Sequence, residues 1–368
     1  MASPIPVLDL TGSPEECGFA HGRAMAQPVR ANIAIYLARF AASGMEAGEA
    51  LEEGERWRQA IERSNQRYYA EMVGISEGSG VSIQKVALLN ARYEIAFTLY
   101  GRDAKAFDNR IAVEDGCTTY GVLPERTSDG TTWLCQNWDW LEAIGDNILI
   151  TRVRRPDSPA FIALTEAGIV GGKMGLNECG IGLVENGLAS DLDGANPYEN
   201  PFHTRCREIL EATSFDQAIL AVIRTRRTAS ANFVIGHAEG EILGLETSPD
   251  HVSYYYPSNG IITHSNHFVF PGHGRSQMER IGPSTIMRAK RAERILDAAR
   301  SAVGTEEIER VANDHFCHPN GICRHPNEQV AQEKRTATLA AVRLNLPGRV
   351  MHAVRGRPCE GSFTAYRL

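Results

Sequence analysis

The pair Gly116–Cys117 is the part of the sequence with the most specific chemistry. It follows the charged residue Asp115 and precedes a run of residues suited to a β-strand. Glycine leaves its own carbonyl unhindered, so the thiol of Cys117 could attack that carbonyl and form a thioester. Hydrolysis of the thioester would then free a new amino terminus at Cys117. The alternative is that Cys117 is a small buried hydrophobe at the start of a strand, the commoner fate of such a cysteine.

A freed α-amino group could serve as the base for that thiol. Its pKa is about 7.7 to 8.0, close enough to neutrality for the amine to deprotonate the neighbouring thiol without a histidine. The alternative base is a histidine in a cysteine–histidine pair, and His264 and His267 are the candidates because they flank Asn266. The two hypotheses differ in one consequence, since only the cysteine–histidine pair could work in an uncleaved chain.

A second group of chemically capable residues lies near the carboxyl-terminal end of the sequence. Five thiol or imidazole side chains occur there within eleven positions: His315, Cys317, His318, Cys323 and His325. Zinc could take four of them, but the spacing fits none of the usual paired patterns. We therefore expect no metal site, and the proposed cysteine chemistry requires no cofactor.

The first hundred residues are predicted to be helical. Ser13 is a suitable N-cap, Pro14 follows at the first helical position, and two acidic residues occupy the first turn. Apolar residues at helical spacing recur over 49–72 and after Ser82. We expect three helices before Gly101, with breaks at Pro28, Gly74, Gly78 and Gly80.

Beyond Cys117 the pattern changes to short apolar runs bounded by glycine and polar residues, which is typical of strands. These runs lie at 120–123, 132–135, 148–153, 161–164 and 181–184. Tight loops at 177–180 and 238–241 predict antiparallel hairpins. Helices are expected at 203–212, 215–224, 284–302 and 306–313, followed by strands at 338–344 and 350–354. This order predicts an α+β fold, and the lack of repeats or a low-complexity linker favours one domain over residues 1–368.

The composition excludes several classes of function. With 38 basic and 45 acidic residues the net charge is -7, so the chain lacks the basic excess of a nucleic-acid binder and would not be drawn to an anionic membrane. No run approaches the ~20 apolar residues of a membrane helix. Eight scattered cysteines favour reduced thiols. The amino terminus does not resemble a secretory signal, so we expect a cytoplasmic protein, with the peroxisome as the alternative because the chain ends in Arg367–Leu368.

Seven short motifs occur in an order that resembles one protein family. They are Gly18–Gly22, Leu89–Arg92, Asp115–Thr119, Gln136–Asp139, Thr165–Ile169, His264–His267 and Ile322–Arg324. With them the chain resembles the acyl-coenzyme A:6-aminopenicillanic acid acyltransferase (isopenicillin N acyltransferase) family. Its members are self-cleaving N-terminal-nucleophile proteins related to the bile-salt hydrolases. The resemblance implies the four-layer αββα sandwich of these proteins, in agreement with the α+β layering.

The resemblance also implies roles for individual residues. Cys117 would be the autocatalytic and catalytic nucleophile, and Gly116–Cys117 the scissile bond. Cleavage would give a helical α chain of residues 1–116 and a β chain of residues 117–368 that remain together as a heterodimer. Asp139 would position the new amino terminus, Asn266 would donate to the oxyanion, and Arg335 would lie near the nucleophile and favour its thiolate.

Each of the last three residues also has a simpler structural explanation. Asp139 could cap a turn at a strand end, Asn266 could be a loop residue, and Arg335 could be a solvated arginine. The chain departs from the penicillin-forming pattern at Tyr120, Lys334 and Thr336. The motifs therefore do not assign penicillin synthesis to this chain.

The expected function is that of a self-processing cysteine acyltransferase or amidohydrolase. It would act on a small-molecule amide or an acyl-coenzyme A thioester through an acyl-enzyme on Cys117. One alternative is a simple amidase acting on N-acyl or peptide conjugates, since both reactions share the acyl-enzyme. Another is an uncleaved paralogue that acts as a binding or inactive protein, or a module stabilised by zinc at the cluster from Cys317 to His325.

Overall fold

A computed structural model describes residues 4–106, 116–299 and 302–368 of the chain. The strands form two sheets that pack face to face, and helices cover the outer face of each sheet. The resulting order of layers is helix, sheet, sheet and helix. The predicted α+β class and the four-layer sandwich are confirmed.

One sheet has eight strands within the described residues. Its spatial order is β1 (Val7–Thr11), β4 (Ile148–Arg155), β5 (Ser158–Glu166), β6 (Met174–Asn177), β7 (Ile181–Gly187), β8 (Ala231–His237), β9 (Glu241–Thr247) and β10 (Val252–Tyr255). The pair β1 and β4 is parallel, and the other pairs are antiparallel. The two predicted hairpins are the pairs β6–β7 and β8–β9, so both are confirmed.

The described part of the second sheet has six antiparallel strands. Its spatial order is β11 (Ile261–His264), β2 (Thr118–Val122), β3 (Trp133–Leu141), β12 (Thr336–Asn345), β13 (Val350–Arg355) and β14 (Thr364–Arg367). Strand β2, which begins directly after Cys117, has neighbours on both sides. Residues from several strand ends therefore surround the Gly116–Cys117 pair.

The two sheets meet across an apolar interface between β2, β3, β12 and β13 on one side and β6 and β7 on the other. The buried side chains of Leu134 and Leu346 fill it. They pack onto two glycines of the eight-stranded sheet, where an added Cβ would lie 2.4 Å from Leu346 at Gly182 and 2.9 Å from Leu346 at Gly236. Such distances leave no room for a larger residue, so these glycines allow the leucines to interdigitate.

Six helices lie between residues 14 and 106, where the sequence predicted three. They are α1 (Pro14–Ala24), α2 (Ala26–Ala41), α3 (Ala47–Ser64), α4 (Gln66–Ser79), α5 (Ile83–Asn90) and α6 (Arg92–Ala106). The start of α1 is as predicted, because the Ser13 hydroxyl accepts from the backbone N–H of Glu16, whose carboxylate accepts from that of Ser13. The extra boundaries fall at residues such as Met25 and Ala91, which carry no turn signal in the sequence.

The remaining described helices pack on the sheets. They are α7 (Phe202–Leu210), α8 (Phe215–Ile223), α9 (Met278–Ile281), α10 (Ser284–Asp297) and α11 (Thr305–Ala312). Helices α7 and α8 contact the eight-stranded sheet, whereas α10 and α11 contact the six-stranded one. None of the described helices has the length and apolar character to cross a membrane.

Two of the predicted helix breaks are wrong, because Gly74 and Gly78 lie inside α4. Their role is packing against α1: an added Cβ would lie 2.2 Å from the carbonyl oxygen of Glu15 at Gly74, and 2.3 Å from that of Phe19 at Gly78. The two helix backbones are thus in direct contact, which compensates the cost of about 1 kcal/mol for a glycine inside a helix. The predicted break at Pro28 is also wrong, because Pro28 lies in the first turn of α2, where proline is tolerated. Gly80 does end α4, in the left-handed conformation at φ 66°.

Candidate active site

Cys117 lies at the start of β2 and is buried, with 3% of its surface exposed. Its Sγ atom is 3.9 Å from the carbonyl oxygen of Asp139 on β3. The strand register pairs Thr118 with Asn137 and Thr119 with His264, which places the ends of β3 and β11 next to Cys117. Asp115, the first residue of the predicted motif, lies outside the described residues.

Arg288 of α10 joins the Gly116–Cys117 pair to Asn266. Its Nη1 atom donates to the carbonyl oxygen of Gly116 at 2.8 Å, to that of Cys117 at 2.5 Å and to the hydroxyl of Thr118 at 2.9 Å. Its Nη2 atom donates to Oδ1 of Asn266 at 2.8 Å. The planar fork of a guanidinium suits this arrangement, since it offers several donors in fixed directions. A positive charge therefore lies directly at the carbonyl that precedes Cys117.

Asp139 forms a second buried network on the other side of the pair. Its Oδ1 atom accepts from the Thr338 hydroxyl at 2.6 Å, and its Oδ2 atom accepts from Nε of Arg324 at 3.3 Å. The backbone N–H of Arg324 in turn donates to the Thr338 hydroxyl at 2.8 Å. A register shift between Thr338 and Ala340, opposite β3, marks a β-bulge at this point. Bulges re-aim side chains beside functional sites, and this one lies directly next to Asp139.

Residue 116 must be a glycine because Arg324 leaves no room for a side chain at this position. An added Cβ at this position would lie 2.5 Å from both Nε and Nη2 of Arg324. The guanidinium cannot easily move away, because Asp139 and Asn320 also hold it through hydrogen bonds. The unhindered carbonyl expected from the sequence is thus bounded by Arg288 at its oxygen, while Arg324 packs on the α-carbon of Gly116.

The fold brings together four of the five residues that the sequence assigned to the site. Gly116, Cys117, Asp139 and Asn266 belong to the connected networks just described. Arg335 does not, and this expectation needs correction: its guanidinium donates to the carbonyls of Glu328 and Val330 and lies 3.8 Å from Glu142. The chain turns through a 3₁₀ segment just before β12, which leaves Arg335 partly exposed at the surface. Arg288 and Arg324 occupy the position expected of Arg335.

The two histidines beside Asn266 are engaged elsewhere. The ring of His264 uses Nδ1 to bond the carbonyl of Ser265 and Nε2 to bond the carboxylate of Glu246, both at 2.7 Å. Nδ1 of His267 faces the hydroxyls of Ser265 and Thr285. Burial lowers the pKa of His267 to about 4. The contacts of both rings therefore tie their loop to β9 and α10, and neither ring contact involves Cys117.

A buried cluster of charges lies beside the cavity at Cys117. Glu166 accepts from Arg92 at 2.5 Å and from Lys173 at 2.9 Å, and it also accepts from the hydroxyl of Tyr36 at 2.6 Å. Burial by itself would raise the pKa of Glu166, but the two cations hold it at about 2. The pKa of Lys173 is lowered, first by burial and then by the charge of Arg92.

The cavity next to Cys117 is narrow, and half of its lining residues are aromatic. Its lining comprises Cys117, Arg92, Tyr93, Phe97, Trp138, Trp140, Lys173, Glu185, Gly187 and Phe202. The ammonium of Lys173 lies 4.7 Å from the ring centroid of Trp138, and the guanidinium of Arg92 lies 4.8 Å from that of Trp140. The surface offered to a ligand thus combines apolar rings with a few fixed charges.

Sequence analysis did not assign Arg324 or Arg288 to the site, although the sequence contains a motif for the first of them. Arg324 belongs to the motif Ile322–Arg324, so its presence at a functional site was within reach. Arg288 carried no signal, because α10 has several other basic residues, among them Lys290, Arg291 and Arg294. Only its burial in the fold, with 2% of its surface exposed, separates Arg288 from these neighbours.

The geometry is suited to attack on a carbonyl group. A charge-assisted donor such as Arg288 stabilises negative charge that develops on a carbonyl oxygen. The thiol of Cys117 follows directly in the chain, and aromatic rings line the narrow cavity at its side. These features together make the region the candidate site for acyl chemistry.

Comparison with known proteins gives the family of the chain. A model of the family described as acyl-coenzyme A:6-aminopenicillanic acid acyl-transferase matches residues 126–358. The acyl-coenzyme A:6-aminopenicillanic-acid-acyltransferase 40 kDa form of Emericella nidulans is 30% identical over 355 residues, which cover 94% of this chain and 91% of the relative.

Solved structures with a similar arrangement of elements include two hydrolases. The Caenorhabditis elegans ortholog of N-acylethanolamine-hydrolyzing acid amidase has a TM-score of 0.49 and 13% identity, over 63% of this chain and 93% of that chain. A mutant of the conjugated bile acid hydrolase from Clostridium perfringens has a TM-score of 0.46 and 11% identity, over 68% of this chain and 92% of that chain.

The fold and the matched family define an enzyme of acyl transfer or amide hydrolysis. The chain belongs to the acyl-coenzyme A:6-aminopenicillanic acid acyltransferase family. The match to the family model begins after Cys117 but includes Asp139, Asn266, Arg288 and Arg324.

Proposed function

We propose that this enzyme is a self-processing acyltransferase or amidohydrolase with Cys117 as its nucleophile. The observation that carries the proposal is the hydrogen bond from Arg288 to the carbonyl oxygen of Gly116 at 2.8 Å. This oxygen would become the oxyanion if the thiol of Cys117 attacked the preceding carbonyl carbon. The positive charge that would stabilise this oxyanion is therefore already beside the oxygen before cleavage.

The processing reaction would proceed through a thioester. The Cys117 sulfur bonds to the carbonyl carbon of Gly116, and Arg288 stabilises the resulting oxyanion. The bond between that carbon and the Cys117 nitrogen then breaks, and the nitrogen leaves as an amine after it takes up a proton. Water hydrolyses the thioester, which regenerates the thiol and leaves Gly116 with a carboxylate. The products are residues 1–116 and 117–368, which the many contacts between the helical region and the sheets would hold together as a heterodimer.

The freed enzyme would use the same groups on a substrate. The α-amino group of Cys117 accepts the thiol proton, since its pKa lies close to neutrality. Asp139 holds the new terminus in place, while Arg288 and Asn266 stabilise the substrate oxyanion. An acyl-enzyme forms on Cys117, and water or an amine resolves it.

The lining of the cavity and the proposed acyl-enzyme support a substrate class. Aromatic rings beside Cys117 suit the apolar acyl part of an amide or of an acyl-coenzyme A thioester. The name of the Emericella nidulans relative adds 6-aminopenicillanic acid as one acceptor to test. A simple amidase on N-acyl or peptide conjugates remains the second candidate, because hydrolysis needs no acceptor site beyond the one for water.

Intact-mass analysis of the purified protein tests the processing step. Wild-type chain should split between Gly116 and Cys117 without added protease, whereas Cys117→Ala should stay whole. The control Cys179→Ala changes a thiol in the distant β6–β7 hairpin and should split like the wild type. Wild-type protein that keeps its full mass after prolonged incubation, and that is active in this state, would contradict the proposal.

The processed enzyme should then be incubated with N-acyl amides and with acyl thioesters, with and without 6-aminopenicillanic acid or another amine. A new amide product would identify a transferase, and free acid alone would identify a hydrolase. His264→Gln and His267→Gln variants, once processed, should retain single-turnover acylation. A loss of several orders of magnitude in the acylation rate at either position would show that a cysteine–histidine pair, and not the amine, supplies the base.

A further inference from the structure

Four metal-ligating side chains meet at one point near the end of the six-stranded sheet. His315, Cys323, His325 and Cys359 place their ligand atoms within 4.8 Å of one another. We call this group the His315–Cys359 cluster. His315 lies in the loop after α11, Cys323 and His325 lie in the loop before β12, and Cys359 lies in the 3₁₀ turn between β13 and β14. The expectation of no metal site rested on spacing along the chain, and it did not include Cys359.

Four of the six separations between these atoms are close to those of a tetrahedral zinc site, and the two between His315 and the sulfurs are no longer than 4.8 Å. The Nε2 atoms of His315 and His325 are 3.1 Å apart, and the Sγ atoms of Cys323 and Cys359 are 3.5 Å apart. Nε2 of His325 lies 3.9 Å from the first sulfur and 3.5 Å from the second. With zinc at about 2.3 Å from sulfur and about 2.0–2.1 Å from nitrogen, neighbouring ligands lie about 3.3 Å (N–N), 3.6 Å (S–N) and 3.8 Å (S–S) apart.

Hydrogen bonds alone do not account for this convergence. Nε2 of an imidazole carries either one hydrogen or one lone pair, yet Nε2 of His325 has another ring nitrogen and two sulfurs around it. A disulfide is also a poor description, because its sulfurs would be about 2.05 Å apart and the two histidines would have no part in it. A cation that accepts one lone pair from each ligand satisfies all four atoms.

Two thiolates with two imidazoles favour Zn²⁺ over the harder cations, which prefer oxygen ligands. All four positions come from the protein, which is the pattern of a structural zinc rather than a catalytic one. The thiolates would also neutralise the charge of the ion in a partly exposed position.

The cluster is directly connected to the candidate active site. Arg324 lies between the two ligands Cys323 and His325 in the sequence, and its side chain bonds Asp139 and packs on Gly116. We propose that the His315–Cys359 cluster binds one structural Zn²⁺, which ties the loop before β12 to the β13–β14 connection and so positions Arg324.

Metal analysis of the Cys117→Ala chain tests this proposal separately from the proposed processing. The protein should be prepared under reducing conditions from zinc-supplemented cells, and elemental analysis should find one zinc per chain. Cys359→Ser and His315→Ala in the same background should lose it. Cys317→Ser and His318→Ala should keep it, because these neighbours are not members of the cluster.

Cobalt gives a second, spectroscopic readout that reports the kind of ligands as well as the presence of a metal. Replacement of the ion by Co²⁺ should produce the absorption of a tetrahedral cobalt centre with thiolate ligands, and Cys359→Ser should abolish that absorption. The proposal is overturned if the Cys117→Ala chain takes up neither zinc nor cobalt, or if the two control variants lose the metal as completely as the ligand variants. A Cys323–Cys359 disulfide in the mass spectrum of this reduced preparation would also overturn it. Because the chain used cannot be cleaved, a failure of the zinc proposal leaves the processing proposal intact, and the reverse also holds.

Discussion

The Gly116–Cys117 region and the His315–Cys359 cluster lie on either side of Arg324 and are stabilised in opposite ways. The first is fully buried, and its carbonyls, carboxylate and amide are matched by arginines that belong to the chain. The second is partly exposed and gathers four electron-pair donors around one point. In the two proposals the protein supplies its own cations at the carbonyl of Gly116, whereas a bound ion supplies the positive charge where two loops are joined.

The largest effect expected within this comparison is that of Arg288→Ala. The substitution removes the donor to Gly116 and Cys117 and also the partner of Asn266, so the rate of processing should fall by about 1000-fold. The time course of intact-mass change measures this rate. Arg294→Ala, an exposed arginine on the same helix, should process normally. Equal rates for the two variants would show that processing at Gly116–Cys117 does not depend on the charge of Arg288.

Asn266→Ala should have its main effect after processing. Its amide would donate to the substrate oxyanion, so kcat should fall by roughly 100-fold to 1000-fold while KM changes much less. The measurement is steady-state kinetics on protein shown to be cleaved. A folded and cleaved variant with near wild-type kcat would remove Asn266 from the site.

Cys359→Ser should have a smaller effect, because it reaches the active site only through Arg324. We expect processing to slow by about 10-fold, the lower end of the range for loss of a supporting interaction at a metal site. Chelation of the wild-type precursor should slow processing to the same extent, and added zinc should restore it. If Cys317→Ser slows processing equally, the effect belongs to the loop as a whole and the link between the two regions is broken.

The smallest effect concerns pH and the charge cluster at Glu166. The pKa of Glu166 in the folded chain is about 2, because Arg92 and Lys173 hold it below its ordinary value of 4.5, so between these values the unfolded chain binds more protons than the folded one. The free energy of unfolding must therefore fall as the pH falls through this range. Glu166→Gln should be the less stable protein at neutral pH, and its deficit should shrink by an amount of order 1 kcal/mol between pH 5 and pH 3.

Urea unfolding at several pH values measures this difference. Glu306→Gln, whose parent side chain is 86% exposed, is the matched control and should follow the wild type at each pH. A deficit of Glu166→Gln that stays constant down to pH 3 would show that the carboxylate is not held by Arg92 and Lys173 in solution.

Much of the fold could be predicted because its signals are local. The cap at Ser13 and the two glycine-containing hairpins depend on residues a few positions apart, and each occurs where it was expected. Gly74 and Gly78 could not be interpreted in this way. A glycine that breaks a helix and one that lets two helices touch look alike until the partner helix is known.

The residues of the candidate site can also be divided into those with a local sequence signal and those whose role depends on packing. Self-cleavage needs a nucleophile directly after the carbonyl that it attacks, so Gly116–Cys117 is visible as a sequence motif. The motifs around Asp139 and Asn266 also indicated residues that lie in the networks around this pair. Arg288 could not be selected, since its role arises only when α10 packs on β2 and β11. Cys359 joins its cluster from 36 residues beyond Cys323, and no local spacing rule covers that distance.

If the hydrogen bond from Arg288 to Gly116 serves the proposed cleavage, the chain is its own first substrate. In the proposed reaction the acyl group transferred to Cys117 in that first turnover is the polypeptide that ends at Gly116, and the water that releases it is the same reagent that would release a later acyl group. After release the new carboxylate of Gly116 carries a negative charge beside two arginines, where it competes with the carbonyl of any incoming molecule. Departure of this carboxylate from Arg288 is therefore a separate step, and the appearance of activity should lag behind the appearance of cleaved chains.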